Sequence, residues 1–223
     1  MGVIPFYRGG EVLWDKGHRN AYNHRVFYYT NTTEMNPEIL QHPNIPKPLH
    51  GLAPRVVLGQ YWWDRTRQKA YESTNYHCIA CGVHKTDAKY HQWLEAHENF
   101  TMDYNKGIME INSIIPLCHS CHNFIHSGRL YATLTDDTEE KAKDILKHGF
   151  SILEANDLSA FPGTIEVAEL MGVEHNCTGL TYNIDREVEW HEWKMILNGK
   201  EYYSQFKDYA DWDQHYTNLN KKR

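Results

Sequence analysis

Apolar positions along this chain recur at more than one period, and the period marks the elements. From residue 142 to 153, Ala142, Ile145, Leu146, Gly149, Phe150 and Leu153 step by three and four, which predicts a helix buried along one face. Asp137 followed three residues later by Glu140 reads as the capping arrangement at its start. A second helical pattern runs from Val56 to Tyr71, where Leu58, Trp62, Trp63, Ala70 and Tyr71 are interleaved with Arg65, Arg67 and Lys69. A shorter helix is expected at 164–171, with Thr164 as cap and Gly172 as terminator. Leu94–Glu98 and Ile111–Leu117 read as short strands of an antiparallel ribbon, with residues 99–110 as its loop. Residues 193–197 and 200–203 flank Asn198-Gly199, the favoured type I′ pair, and predict a β-hairpin. Residues 25–30 are one further strand-like run.

Helices and strands in separate blocks give an α+β chain. Five prolines (Pro37, Pro43, Pro46, Pro48 and Pro54) crowd into residues 37–54, a density that blocks both helix and central strand. That stretch reads as a linker or wrapping arm. The expected organisation is an arm and linker over 1–54, a core over 55–132, and a helical plus β-hairpin extension over 133–223.

Composition changes the picture in one respect. The net charge is −6, which does not favour a nucleic-acid binder, but the charge is uneven. Residues 1–132 carry 13 Lys and Arg against 11 Asp and Glu, whereas residues 133–223 carry 10 against 18. The acidity belongs to the C-terminal part, which is expected to serve as scaffold or to meet a second copy of the chain or another protein. No stretch has the apolar length of a membrane span, and the first residues lack the pattern of a secretory or myristoylation signal, so a cytoplasmic, non-secreted setting is expected.

The candidate chemistry sits in the centre. Cys78-Ile-Ala-Cys81 and Cys118-His-Ser-Cys121 are two C-x2-C pairs in a chain of only five cysteines. Four thiolates in two such knuckles suit a tetrahedral, structural Zn²⁺, and a cytosolic setting argues against disulfides. Cys177 reads as a free thiol. A helix is expected to open at Cys118 and to end at Gly128, placing His122 and His126 on one face. With 15 histidines that spacing arises by chance, and its weight comes from its place after the second knuckle. Two imidazoles with a carboxylate or third imidazole suit a divalent ion with open positions, separate from the closed zinc.

These motifs in order (Cys78-x2-Cys81, Leu94-Glu95-Ala96-His97-Glu98, then Ile115-Pro116-Leu117-Cys118-x2-Cys121-His122-x3-His126) resemble the HNH endonucleases of the zinc-ribbon type, with the ββα-metal or His-Me finger fold. The resemblance covers about residues 74–130 and looks closest to a bacterial and phage subgroup. It implies metal-dependent hydrolysis of phosphodiester bonds in DNA by nicking or double-strand cleavage, with RNA as the alternative substrate. His97 matches the family's general base on the first strand, and His122 and His126 match ligands of a catalytic Mg²⁺, Mn²⁺ or Ni²⁺.

Two positions depart from the family pattern. Ala96 stands where many members carry a ligand, so either Glu95 or Glu98 supplies the missing carboxylate, or the register shifts and His97 is itself a ligand. Ser113 stands at the family's central asparagine, with Asn112 beside it. These departures keep open a second reading, an inactive HNH-derived zinc module that binds nucleic acid or a protein. Arg65, Lys69, Lys106 and Arg129 are the candidates for phosphate contacts, although Arg65 and Lys69 equally suit a solvated helix face. His119 reads as a solvent-facing knuckle residue, and His84 and His91 carry no assigned role.

Overall fold

In the computed structural model the described residues are 7–8, 11–12 and 35–220, so the strand-like run at 25–30 lies outside them. Strands β1 (Tyr7–Arg8) and β2 (Glu11–Val12) pair antiparallel. From residue 35 onward the chain is mixed α+β, built on a four-stranded sheet whose order follows the chain: β3 (Glu95–Asp103), β4 (Ile108–Leu117), β5 (Lys194–Leu197) and β6 (Lys200–Tyr203). The helices are α1 (Pro54–Leu58), α2 (Gln60–Ser73), α3 (His119–Ile125), α4 (Ser127–Ala132), α5 (Glu139–Ala155), α6 (Pro162–Leu170) and α7 (Tyr209–Asn220). No helix among the described residues is long and apolar enough to cross a membrane.

The ribbon is longer than its apolar runs suggest. Residues expected in a loop continue both strands, and only 104–107 make the turn. Gly107 sits there at φ +66°, a left-handed conformation that glycine adopts without strain. The register slips once, with Asn99 opposite Ser113 but Phe100 opposite Ile111, leaving Asn112 as the extra residue of a β-bulge. The bulge resets alternation in β4. Met109, Ile111 and Ile114 thereby join one core with Phe100, Met195 and Leu197, while Ile115 and Leu117 join the other with Phe124, Ile145 and Leu146.

The sheet separates these two cores. On one face α2 packs against β4 through Ala70, Trp62 and Trp63. On the other lie α3 and α5, and every apolar position expected on the α5 face is buried. Gly149 on α5 makes room for α3, since a Cβ there would stand 2.1 Å from the Phe124 ring. The start of α5 differs from expectation: Thr135 and Thr138 form the capping box, and a 3-10 turn at Asp136–Thr138 leads into the helix.

Other boundaries shift for local reasons. Gly59, at φ +85°, divides the expected 56–71 helix into α1 and α2. Pro162 opens α6 at its first position, so Thr164 is not the cap but lies inside, its Oγ1 3.0 Å from Ser127 Oγ. α3 ends before Gly128, because His126 at φ −91°, ψ 35° leaves the helix and starts α4.

The proline-rich stretch wraps the molecule. Its 3-10 turns at Pro37–Gln41 and Lys47–Leu49 bury Ile39 and Leu40 in the α5-side core and Leu49 in the α2-side core. The C-terminal hairpin forms with Asn198 and Gly199 both at positive φ, as a type I′ turn requires. β5 then pairs with β4 in parallel, Ile108 opposite Lys194 through Ile111 opposite Leu197, so both cores contain residues from beyond 133.

Candidate metal centre

The two knuckles meet as their spacing requires. Cys78 and Cys81 sit in a tight turn, with Gly82 N–H donating to Cys78 O at 2.8 Å and Cys78 N–H to Val83 O at 2.9 Å. Ile79 N–H donates to Pro116 O at 3.0 Å, which docks this turn on the end of β4 that β5 leaves open. Cys118 caps α3, its sulfur accepting from Cys121 N–H at 3.5 Å. The four sulfurs lie within 4.8 Å of one another, and Cys81 Sγ to Cys118 Sγ is 3.8 Å. Sulfurs bound at about 2.3 Å around a tetrahedral ion stand about 3.8 Å apart. The cluster can hold a metal ion such as zinc.

His148 of α5 adds an imidazole 3.6 Å from Cys121 Sγ. The Cys118 and Cys81 sulfurs push its pKa up to about 10. Nothing in its sequence position pointed there.

A second cluster faces α3 from β3. His97, His122 and His126 each offer a ring nitrogen within 4.8 Å of the others, with His97 to His126 ring centroids 5.0 Å apart. His97 is 2% exposed, and its Nδ1 has no hydrogen-bond partner. Its other nitrogen is held. Asn99 Nδ2 donates to Ser113 Oγ at 3.3 Å, Asn99 Oδ1 lies 3.1 Å from His42 Nε2, and His42 Nδ1 lies 3.3 Å from His97 Nε2. The carboxamide oxygen can only accept, so the proton order runs His42 Nε2–H to Asn99, then His97 Nε2–H to His42. The buried lone pair left on His97 Nδ1 is what a metal ligand needs.

Burial depresses the pKa of His97 far below the usual range and that of His42 to about 4. His126 falls to about 3 through burial, with the nearby His122 and Arg129 adding to the effect. The three imidazoles together could hold a metal ion.

Compared with known proteins, the chain matches no family model, no curated protein and no solved structure.

Glu95 stands beside the three histidines, at the side of His122. Its Oε2 is 2.5 Å from His122 Nδ1. Burial alone would raise the Glu95 carboxyl, but His122 and His119 outweigh it and hold it at about 2. Glu98 lies on the opposite face of β3, paired with Ile114 of the α2-side core, and burial raises its pKa. The geometry thus brings together His97, His122, His126 and Glu95, and does not bring Glu98 to the cluster.

The candidate phosphate contacts are scattered. Arg129 on α4 is close enough to depress His126 and His97. Arg65 and Lys69 ride on α2, across the sheet from α3, with Arg65 Nη1 3.3 Å from Tyr61 OH. Lys106 is in the ribbon turn, bound to Asp103 at 2.7 Å.

His119 departs from its expected solvent-facing position. Its side chain is 17% exposed, and Nδ1 contacts Glu95 Oε1 at 2.7 Å. His42 had no sequence signal, because it lies in the proline-rich arm and reaches His97 only through the fold.

Proposed function

We propose that this chain is a metal-dependent phosphodiesterase acting on a nucleic acid, DNA before RNA, through the HNH-like unit of β3, β4 and α3. The observation that carries this reading is the group His97, His122 and His126, in which His122 follows the second cysteine knuckle directly. In this reading the cysteines hold a structural Zn²⁺ and the histidines hold a catalytic divalent ion such as Mg²⁺, Mn²⁺, Ni²⁺ or Zn²⁺. That ion supplies Lewis-acid polarisation of the phosphodiester and stabilises developing charge.

The chain's own residues do the positioning. Glu95 fixes the His122 ring through Nδ1, as carboxylates commonly do for metal-bound imidazoles. His42, backed by Asn99 and Ser113, engages His97 through Nε2, which leaves the Nδ1 lone pair available. His97 is therefore taken as a ligand, the shifted-register alternative, rather than as the general base. Arg129, whose charge acts on His97 and His126, is the candidate to meet a phosphate oxygen.

The test uses supercoiled plasmid and a structured RNA, each with Mg²⁺, Mn²⁺, Ni²⁺ or Zn²⁺ and with EDTA. The wild-type chain should cleave with at least one metal, and His126→Ala should lose that cleavage while keeping its circular dichroism spectrum. Intact substrates under every metal, with the fold and bound zinc verified, would remove the hydrolase reading and leave a binding module.

A further inference from the structure

A second group of possible ligands lies on the far side of Glu95, and neither the cysteine cluster nor the three histidines account for it. His119 Nδ1 is 2.7 Å from Glu95 Oε1 and 2.8 Å from His91 Nε2, and His91 Nε2 is 3.2 Å from the same Oε1. Together they close a small triangle of two imidazole nitrogens and one carboxylate oxygen.

Protons cannot satisfy that triangle. A carboxylate oxygen only accepts. Both nitrogens must then donate to it, which leaves two N–H groups facing each other across 2.8 Å. If either nitrogen is bare instead, its lone pair meets the carboxylate oxygen. One edge is always mismatched. A cation reverses the problem, because it takes a lone pair from each of the three atoms.

The rings are also held in advance. His91 stacks on Trp93 with centroids 3.8 Å apart and planes 3° from parallel, and Tyr90 packs edge-on to His119. The side chains are 13%, 24% and 17% exposed for His91, Glu95 and His119, so the site opens to solvent at one rim. Pre-set ligand orientation is the main requirement for an ion site built on a protein surface.

We propose that His91, Glu95 and His119 form a second divalent-cation site, taking a borderline ion such as Zn²⁺, Co²⁺ or Ni²⁺. Two imidazoles and one carboxylate are a donor set used by zinc sites that keep a position open for water. This site is separate from the three-histidine group, because Glu95 uses Oε1 here and Oε2 on His122. An imidazole and a carboxylate would lie between the two ions, so one oxygen atom could not bridge them. Glu95 would instead connect the sites electrically: a cation on Oε1 draws charge from the carboxylate that supports His122.

The test is zinc content after equilibrium dialysis of the full chain, together with anomalous scattering from wild-type crystals soaked in Zn²⁺. His91→Gln combined with His119→Gln should remove one ion per chain relative to wild type. His126→Gln should remove a different one, and the cysteine-bound zinc should persist in both. The wild-type crystal should show an anomalous peak among His91 Nε2, His119 Nδ1 and Glu95 Oε1. An unchanged zinc count in the double variant, or no peak at that position in wild type, overturns the proposal. The peak needs no variant to fold, and it stands or falls separately from a peak among His97, His122 and His126.

Discussion

Glu95 Oε2 lies 2.5 Å from Nδ1 of His122, the histidine that follows the second cysteine knuckle directly. Removing the charge while keeping the shape should therefore weaken metal binding without unfolding the chain. Glu95→Gln is expected to lower divalent-ion affinity at the three-histidine group about 10- to 100-fold, the usual effect of losing such a supporting carboxylate. Isothermal titration with Mn²⁺ or Ni²⁺ of protein that keeps only its cysteine-bound zinc, in a His91→Gln and His119→Gln background, measures it. An affinity equal to wild type would show that the carboxylate does not orient His122.

The cysteine cluster should be a condition of folding. Cys118 and Cys121 are buried, and the knuckle at 78–81 is docked on Pro116 within the larger core. Elemental analysis should find one zinc that survives dialysis against weak chelators, and Cys121→Ser should abolish it. Because structural zinc contributes folding free energy directly, the variant should also lose its cooperative thermal transition. A cooperative transition at the wild-type temperature in zinc-free protein would refute this.

Gly149→Ala probes the packing of α3 on α5. The added methyl would stand 2.1 Å from Phe124, which is fully buried and packed edge-on against Phe150. Alanine favours helix by about 1 kcal/mol over glycine, but overpacking in a filled core costs about 1–3 kcal/mol. The clash should win, giving a lower urea midpoint. A higher midpoint would mean that Phe124 can move.

His50 gives a pH dependence with a defined sign. Trp212 Nε1–H donates to His50 Nδ1 at 3.1 Å, while His50 Nε2 donates to Ile45 O at 3.0 Å, a pattern only the neutral ring can make. Burial lowers its pKa below 6.5. The unfolded ring therefore takes up a proton at higher pH than the folded one. Its contribution is complete above about 6.5 and is lost as pH falls through the lowered folded value. Trp212 fluorescence and protease resistance of α7 should decline over that window, and His50→Phe should remove the pH dependence.

Much of this fold was legible where one element decides its own form. Asn198-Gly199 specifies its turn, and the apolar face of α5 is readable from Ala142 to Leu153 because helical period alone selects it. His122 and His126 were legible by their place after Cys121. The parts that were not legible depend on residues distant in the chain. His42 meets His97 across 55 positions, and His119 meets Glu95 across 24, with no local pattern to announce either. The bulge at Asn112 also hid the true length of the ribbon, since one extra residue shifts the alternation by which a strand is recognised.

The parallel pairing of β4 with β5 has a consequence for the order of assembly. Ile108 cannot meet Lys194 until more than eighty further residues have been made, whereas both cysteine knuckles and all three clustered histidines are present by residue 126. On an emerging chain the cysteine and histidine clusters can assemble while the neighbouring edge of β4 is still bare. Contacts so far apart in sequence also form slowly. The hairpin of β5 and β6 is then a late cover for that edge, and a chain interrupted before it would expose a strand able to pair with other chains.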